Sequence, residues 1–152
     1  IRLDKNISLK VLNTADGKKD NNESSIVLSL SYKQVKFLFM ADVEKKQEME
    51  IAKRFDVDAD IIKAGHHGSK TSSSIDFLKK VKPSIAILSY SKDNDYGHPV
   101  AATIDHLLDS GATIFSTAKV GDIVITTNGF KYDLHSTGKD HVVLNKPVNL
   151  VG

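Results

Sequence analysis

The segment Ala59–Ser72 reads ADIIKAGHHGSKTS. An apolar stretch leads into two adjacent histidines, His66 and His67, which stand between glycines and are followed by small hydroxyl side chains. Imidazole is the commonest metal ligand in proteins and titrates near neutral pH, while glycine lets backbone and ligand approach closely. The segment therefore predicts a short strand that ends in a loop with a chemical role.

The composition is that of a single globular domain with mild charge. The chain has 152 residues, of which 40% are hydrophobic and 26% charged, and its net charge is +2. This length suffices to bury a core, and the charge is compatible with an anionic substrate without indicating a surface that coats nucleic acid. Because cysteine is absent, disulfides and thiolate metal sites are excluded. No apolar run is long enough to span a membrane.

The hydrophobic pattern predicts strands that alternate with helices. Strands are predicted at 7–12, 25–30, 35–40, 59–64, 85–89, 112–116, 122–127 and 130–134, and helices at 44–55, 74–80 and 100–109. Asn128 and Gly129 predict a two-residue turn between the last two strands. Residues 135–152 are polar and lack periodicity, which indicates a tail or a segment docked on another part of a larger protein. This order of elements predicts a layered α/β domain.

Four candidate site residues follow three successive strands. Asp42 follows the strand at 35–40, His66 and His67 follow the next strand, and His98 lies in the loop after the strand at 85–89. In open α/β sheets, residues just beyond the carboxyl ends of neighbouring strands meet at one rim. A carboxylate and imidazoles at such a rim suit a zinc or manganese ion.

Each of these residues also has a structural alternative. Asp42 could cap the helix that follows it. The histidine pair could be a packed loop with one imidazole bonded to backbone, and His98 could belong to a turn before the next helix. His106 is interpreted as a partly exposed helix side chain. The residues alone leave these alternatives open.

Several motifs together resemble one known family. They are NNESSIVL at 21–28, FLFMAD at 37–42, GHHGSKTS at 65–72, VKP at 81–83 and YGHP at 96–99. The set is similar to the metallo-β-lactamase-fold domain of the ComEC-type DNA-uptake (competence) proteins and their soluble relatives. The resemblance runs in order from about Leu9 to Ile125.

The resemblance implies an αββα metallo-β-lactamase-like sandwich, of which residues 1–134 would be the C-terminal half and 135–152 a polar C-terminal tail. It implies a hydrolase in which a metal-bound hydroxide attacks a phosphodiester such as nucleic acid. The implied cofactors are two divalent metal ions, with zinc as the first candidate and manganese as the alternative. The implied roles are a bridging metal ligand for Asp42, a terminal metal ligand for His98, a catalytic pair for His66 and His67, and substrate binding for Ser69 and Thr71.

The chain departs from this family in three places. The family's upstream His-x-(His/Asp)-x-Asp-His motif is absent from the 152 residues, Asn13 stands where a histidine is often found, and Ala41 replaces a glycine. Because the upstream metal ligands are missing, we expect the chain to be part of a longer enzyme. The expected partners are the N-terminal half of the same fold, in the same protein or as a separate chain, and an anionic phosphodiester with DNA as one candidate.

Two other functions stay open at this stage. One is hydrolysis of a phosphocholine-type or other ester, since the same rim serves both chemistries. The other is a non-catalytic binding module that has lost its metals. The sequence does not fix the compartment, although the resemblance slightly favours an extracellular or cell-surface location.

Overall fold

A computed structural model describes residues 2–14 and 21–138 of the chain. Seven strands form one sheet in the order in which they occur along the chain, and two further strands form a separate hairpin. The strands are β1 (Arg2–Asp4), β2 (Ile7–Asn13), β3 (Val27–Tyr32), β4 (Val35–Phe39), β5 (Ile61–Lys63), β6 (Ile85–Leu88), β7 (Thr113–Ser116), β8 (Ile123–Thr127) and β9 (Tyr132–Ser136). The helices are α1 (Lys45–Arg54), α2 (Ile75–Val81), α3 (Ala101–Asp109) and the short α4 (Thr117–Val120).

The large sheet is antiparallel in its first half and parallel in its second. Strands β1 to β4 pair antiparallel, and β4 to β7 pair parallel. Each parallel connection contains one helix, and right-handed crossovers that step in one direction place their helices on the same face. The core agrees with this, because Leu38 and Ile62 of the sheet share one buried cluster with Phe77 and Leu107 of the helices.

Alternate residues of the strands serve opposite faces of the sheet. The register pairs Leu38 with Ile62, Ile62 with Ala86, and Ala86 with Ile114. All four are buried in the helix-side cluster. Burial of a leucine or isoleucine side chain contributes about 1.5–3 kcal/mol, so this row across the sheet is a main source of the stability that holds the rim in place.

The hairpin of β8 and β9 lies on the face opposite the helices. Ile125 of β8 lines a small cavity together with Phe37 of the sheet. The end of the hairpin is tied to the β3–β4 turn, because the N–H of Gln34 donates to the carbonyl of Gly129 at 2.9 Å. Phe39 on the same face remains 38% exposed, so the hairpin covers this apolar face only in part.

The predicted α/β class is confirmed, whereas the αββα sandwich and its division into halves stay predictions. Strand β1 and helix α4 were not predicted. They are three and four residues long, too short to show a periodic pattern. Strand β9 extends to Ser136, two residues into the segment interpreted as a tail, and residues 139–152 of that segment lie outside the described residues.

The predicted two-residue turn at Asn128 and Gly129 is wrong. Thr127 pairs with Tyr132, so the loop has four residues. The side chain of Asn128 accepts hydrogen bonds from the N–H groups of Phe130 and Lys131, both at 3.0 Å. An asparagine side chain that replaces backbone partners in this way favours a wider turn.

Among the described residues, no helix is both long enough and apolar enough to cross a lipid bilayer.

Candidate functional site

The loops that follow β4, β5 and β6 meet at one rim of the sheet. The N–H of His66 donates to the carbonyl of Ala41 at 2.8 Å, which joins the first two loops. The N–H of Val100 donates to the carbonyl of Gly68 at 3.0 Å, which joins the second and third. The structure thus brings together the three segments that carry Asp42, the histidine pair and His98.

The histidine loop, defined as residues 65–74, opens with a left-handed turn. His66, His67 and Gly68 have φ values of 46°, 53° and 86°. A residue with a side chain rarely adopts this conformation, and it costs of order 1–3 kcal/mol unless the surroundings compensate. Histidine is among the side chains that tolerate it best. Both histidines and also Ser73, with a φ of 53°, therefore carry backbone strain, which commonly clusters at functional sites.

Helix α1 holds the far end of this loop through a buried glutamate. Glu48 is 1% exposed, and its carboxylate accepts hydrogen bonds from the N–H groups of Ser73 and Ser74 and from the hydroxyl of Ser74. Burial raises the pKa of Glu48, and the hydrogen bonds from Ser74 and Ser73 and the charge of Lys45 oppose that rise. The carboxylate therefore fixes the loop at the point where α2 begins.

Helix α3 holds the loop from the other side. The buried hydroxyl of Thr103 donates to the carbonyl of Ser69 at 3.0 Å. Nδ1 of His106 lies 3.1 Å from the carbonyl of Ser73, and because a carbonyl only accepts, this nitrogen carries the proton. His106, interpreted from the sequence as a surface side chain, is half-buried and anchors the loop.

The ring of His67 is fixed between a backbone carbonyl and a carboxylate. Its Nδ1 lies 2.6 Å from the carbonyl of Ser89, so Nδ1 is the protonated nitrogen. Its Nε2 lies 3.7 Å from Oδ1 of Asp42. In the neutral ring, Nε2 is then the unprotonated nitrogen, and it faces the carboxylate at the rim. Proton exchange by this side chain is confined to Nε2.

His66 and His98 are in ring contact. Their centroids lie 5.8 Å apart with the planes at 73°. Nδ1 of His98 is buried and has no hydrogen-bond partner among the described residues. The pKa of His98 lies below its usual value of 6.5 because burial disfavours the charged ring and because His66 and His67 add like charge when protonated. The neutral ring is the form that can ligate a metal or accept a proton.

The loop that carries His98 is closed by an asparagine. The amide nitrogen of Asn94 donates to the carbonyls of Ser91 and His98, both at 2.8 Å, and its Oδ1 accepts the N–H of His98 at 2.9 Å. The His98–Pro99 peptide bond is cis. The ring of Tyr96 stacks on His98 at a centroid distance of 6.0 Å and an angle of 21°.

Asp42 is not a helix cap. Glu44 occupies the N-cap position of α1, and the half-exposed carboxylate of Asp42 faces His67 instead. Burial lowers the pKa of Lys63, while the negative charge of Asp42 partly opposes that shift. The preceding residue, Ala41, has a φ of 48°, a conformation that favours glycine, so its methyl group adds strain as well as bulk beside the rim.

The two residues predicted to bind substrate are placed differently. Ser69 is 4% exposed, and its hydroxyl accepts the N–H of Thr71 at 3.3 Å within the loop. Thr71 is half-buried, with its hydroxyl 3.5 Å from Nδ1 of His66. Thr71 is therefore the one within reach of the rim, and the substrate-binding role of both residues stays a prediction.

Asn13 supports the rim from a distance. Its amide nitrogen donates to the carbonyls of Glu23 and Ser25 at 2.9 and 2.7 Å. The hydroxyl of Ser25 in turn accepts the N–H of Asp42 at 3.3 Å. Asn13 is thus connected to Asp42 through a single residue, which gives it a structural task whether or not it binds a metal.

The described residues do not complete a metal site. No three His, Asp or Glu side chains within them are arranged to hold an ion. Asp42 offers carboxylate oxygens and His98 a neutral ring, which are suitable donors, but they are only two side chains. A resident metal would therefore need ligands from outside the described residues.

Two groups that organise the site were missed from the sequence. Glu48 lies in the helix predicted at 44–55 and Tyr96 in the YGHP motif, but the sequence assigns neither a role at the site. A signal for Glu48 was present, because it lies three residues before the buried Ile51 and so on the same helical stripe as the core. A charged residue on an apolar stripe indicates a buried partner.

Comparison with known proteins gives relatives of one kind. No family model matches the chain. It is 34% identical to ComE operon protein 3 of Bacillus subtilis over 103 aligned residues. The alignment covers 67% of this chain and 13% of that protein. It is 32% identical to Recombination protein 2 of Haemophilus influenzae over 104 aligned residues, and the alignment covers 68% of this chain and 13% of that protein. It is 31% identical to Competence protein ComA of Neisseria gonorrhoeae over 100 aligned residues, and the alignment covers 64% of this chain and 14% of that protein.

The chain thus spans only 13% to 14% of the length of these relatives. The similarity extends over about two thirds of the chain, so it does not rest on a single short motif. These homologues support a relationship of the chain to the competence (DNA-uptake) proteins.

Proposed function

We propose that the chain is part of a hydrolase that cleaves phosphodiesters, with nucleic acid as the substrate class. The observation that carries this proposal is the grouping of Asp42, His66, His67 and His98 at one rim, where helices α1 and α3 hold the strained histidine loop. Its second support is the relationship to competence proteins, since DNA is a phosphodiester polymer.

The first chemical task falls to the pair of His67 and Asp42. The carbonyl of Ser89 fixes the proton on Nδ1, so Nε2 alone can accept or release a proton. The carboxylate 3.7 Å away stabilises the ring once it is charged. A general acid or base fixed in one tautomer beside a carboxylate is suited to protonate a leaving alkoxide.

The second task, binding the phosphate, falls to His66 and Thr71. When protonated, His66 is a charge-assisted donor for a non-bridging phosphate oxygen, and the hydroxyl of Thr71 lies beside its Nδ1. His98 is held in its neutral form beside it. The charged ring of His66 can then bind the phosphate, while the neutral ring of His98 stays available as a metal ligand.

Divalent metal ions are part of the proposal, with Asp42 and His98 as the contribution of this chain. Such ions would supply Lewis-acid stabilisation of the charge on the phosphodiester. The remaining ligands would come from the N-terminal half of the sandwich, in the same protein or in a separate chain. That half would pack on the partly open sheet face around Phe39.

The test is hydrolysis of bis(p-nitrophenyl) phosphate and of a single-stranded oligonucleotide by the full-length protein, with and without a chelator. We expect Asp42→Asn and His67→Gln to lower kcat by about 10²–10⁴-fold, the usual contribution of a positioned proton donor or charge. The matched controls are Asp105→Asn and His135→Gln, which change the same side chains at exposed positions.

The outcomes separate the proposal from its alternatives. Equal activity in Asp42→Asn and Asp105→Asn would contradict the proposal. Hydrolysis of phosphocholine esters without cleavage of oligonucleotides would favour the other ester substrate. A full-length protein that binds DNA but holds no metal, as measured by elemental analysis, and cleaves neither substrate would be a binding module.

A further inference from the structure

An open cavity lies directly beside the rim. Its volume is about 460 Å³, within the range of small-molecule sites. Its walls include His67 and His98 of the rim together with Tyr90 and Tyr96. The cavity therefore adjoins the imidazoles that we assign to the reaction, and two aromatic rings line it.

Tyr96 has the most exposed ring among the large hydrophobic residues that the structure describes. It is 83% exposed, whereas Phe130, the next, is 59% exposed. One face of the ring stacks on His98, within the loop that Asn94 closes. An aromatic face kept in water next to a polar site is suited to stack on a planar ligand.

Four polar side chains that line the cavity, those of Tyr90, Ser91, Asn94 and Thr117, are already engaged within the protein. The hydroxyl of Tyr90 donates to that of Ser116. The hydroxyl of Thr117 accepts the N–H of Tyr90 and donates to the carbonyl of Tyr90. Asn94 uses its amide on the loop itself, and Ser91 accepts a hydrogen bond from within the loop. The cavity thus offers ring faces to a ligand rather than these donors and acceptors.

We propose that this cavity is a nucleobase-stacking subsite, in which Tyr96 stacks on an unpaired base of the nucleotide next to the scissile phosphate. The inference rests on the proposed function for the identity of the substrate and deepens it in two ways. A base in the cavity cannot remain paired, so the substrate is single-stranded. Every base has a stackable face, so binding is tolerant of sequence.

The test uses the full-length protein and fluorescence anisotropy in the presence of a chelator, which prevents cleavage. The probes are a labelled oligo(dT), an abasic strand of the same length, and the corresponding duplex. Stacking of one base is worth about 1–3 kcal/mol, so we expect the abasic strand to bind on the order of 5- to 100-fold more weakly. In Tyr96→Ala, the ratio of the dissociation constants of the abasic strand and of oligo(dT) should fall towards one.

Two variants serve as controls. Tyr96→Phe keeps the ring and should keep the ratio, while Phe130→Ala removes an exposed ring on the distant hairpin loop and should also keep it. Tyr96 is too exposed for its removal to unfold the domain. A Tyr96→Ala variant that weakens base-bearing and abasic strands equally, or a wild type that binds duplex as tightly as single strands, would overturn the subsite.

The same measurements keep the two proposals apart. Base-dependent binding without hydrolysis of any phosphodiester would remove the proposed hydrolase and leave the stacking subsite. Hydrolysis that depends neither on the bases nor on Tyr96 would support the proposed hydrolase and remove the stacking subsite.

Discussion

The backbone of Gly68 is packed so closely on Pro99 that a Cβ atom at Gly68 would lie 2.5 Å from the Cβ of the proline. Carbon atoms do not approach so closely without displacement of one of them. This contact joins the histidine loop to the segment that carries His98, and the hydrogen bond from Val100 to the carbonyl of Gly68 reinforces it. The mutual position of the two histidine segments therefore depends on a glycine.

Gly68→Ala should both destabilise the protein and displace His98. A left-handed alanine costs about 1–2 kcal/mol, and forced overpacking against Pro99 adds about 1–3 kcal/mol. Gly111→Ala is the matched control, because Gly111 has a φ of 89° with no atom within 4 Å of an added Cβ. Urea unfolding of both variants measures the difference. Equal losses of free energy would show that the contact with Pro99 is unimportant.

Glu48 should make stability depend on pH in the acid range. Its pKa in the folded protein is raised above 4.5 by burial, so its contribution to stability is fully present below about pH 4.5 and is lost as the pH rises through the raised pKa. The free energy of unfolding of the wild type relative to Glu48→Gln should therefore increase as the pH falls from neutral towards 4.5. Glu50→Gln, exposed on the same helix, should show no such trend, and a trend of opposite sign would contradict the prediction.

His98 should titrate below 6.5 in the folded protein, as followed by NMR of its ring. Burial is the larger cause and the neighbouring histidines the smaller. His66→Gln should therefore raise the pKa of His98 only in part, while His135→Gln on the hairpin should leave it unchanged. A pKa at or above 6.5 in the wild type would refute the assignment of a neutral ring.

Thr103→Val should loosen the histidine loop without changing the volume of the helix interface. The carbonyl of Ser69 loses the hydroxyl of Thr103 but keeps the N–H and the hydroxyl of Ser72 as donors. The loss is therefore that of one net hydrogen bond, about 0.5–1.5 kcal/mol. Thr126→Val on exposed β8 is the control and should change the free energy of unfolding by less than about 0.5 kcal/mol. Hydrogen exchange of the amides at 66–72 would report the loosening, and unchanged exchange in Thr103→Val would exclude a role for this bond.

The sequence predicted the alternation of strands and helices and the meeting of three loops at one rim, because both depend on strong regularities. Continuous apolar runs such as the one at 85–89 indicate a strand covered on both sides. Carboxyl ends of parallel strands share an edge, so Asp42, His66 and His98 could be grouped without any knowledge of distances.

The supports of the site were not predictable in the same way. The partners of Glu48 lie 25 and 26 residues away, and a glutamate in an amphipathic helix is usually solvated. The ring contact of Tyr96 with His98 depends on the loop conformation that Asn94 imposes. Such contacts are decided by tertiary packing, which local periodicity does not encode.

The histidine loop is fastened through its main chain. The carbonyls of Gly65, Gly68, Ser69 and Thr71 accept hydrogen bonds from Ser72, Val100, Thr103 and Lys45, and none of these bonds uses an imidazole of His66 or His67. Other side chains that tolerate a left-handed backbone, such as asparagine, can therefore replace the histidines while the loop keeps its shape. Single substitutions at positions 66 and 67 could therefore change the chemical groups presented at this rim while the backbone that carries them stays the same.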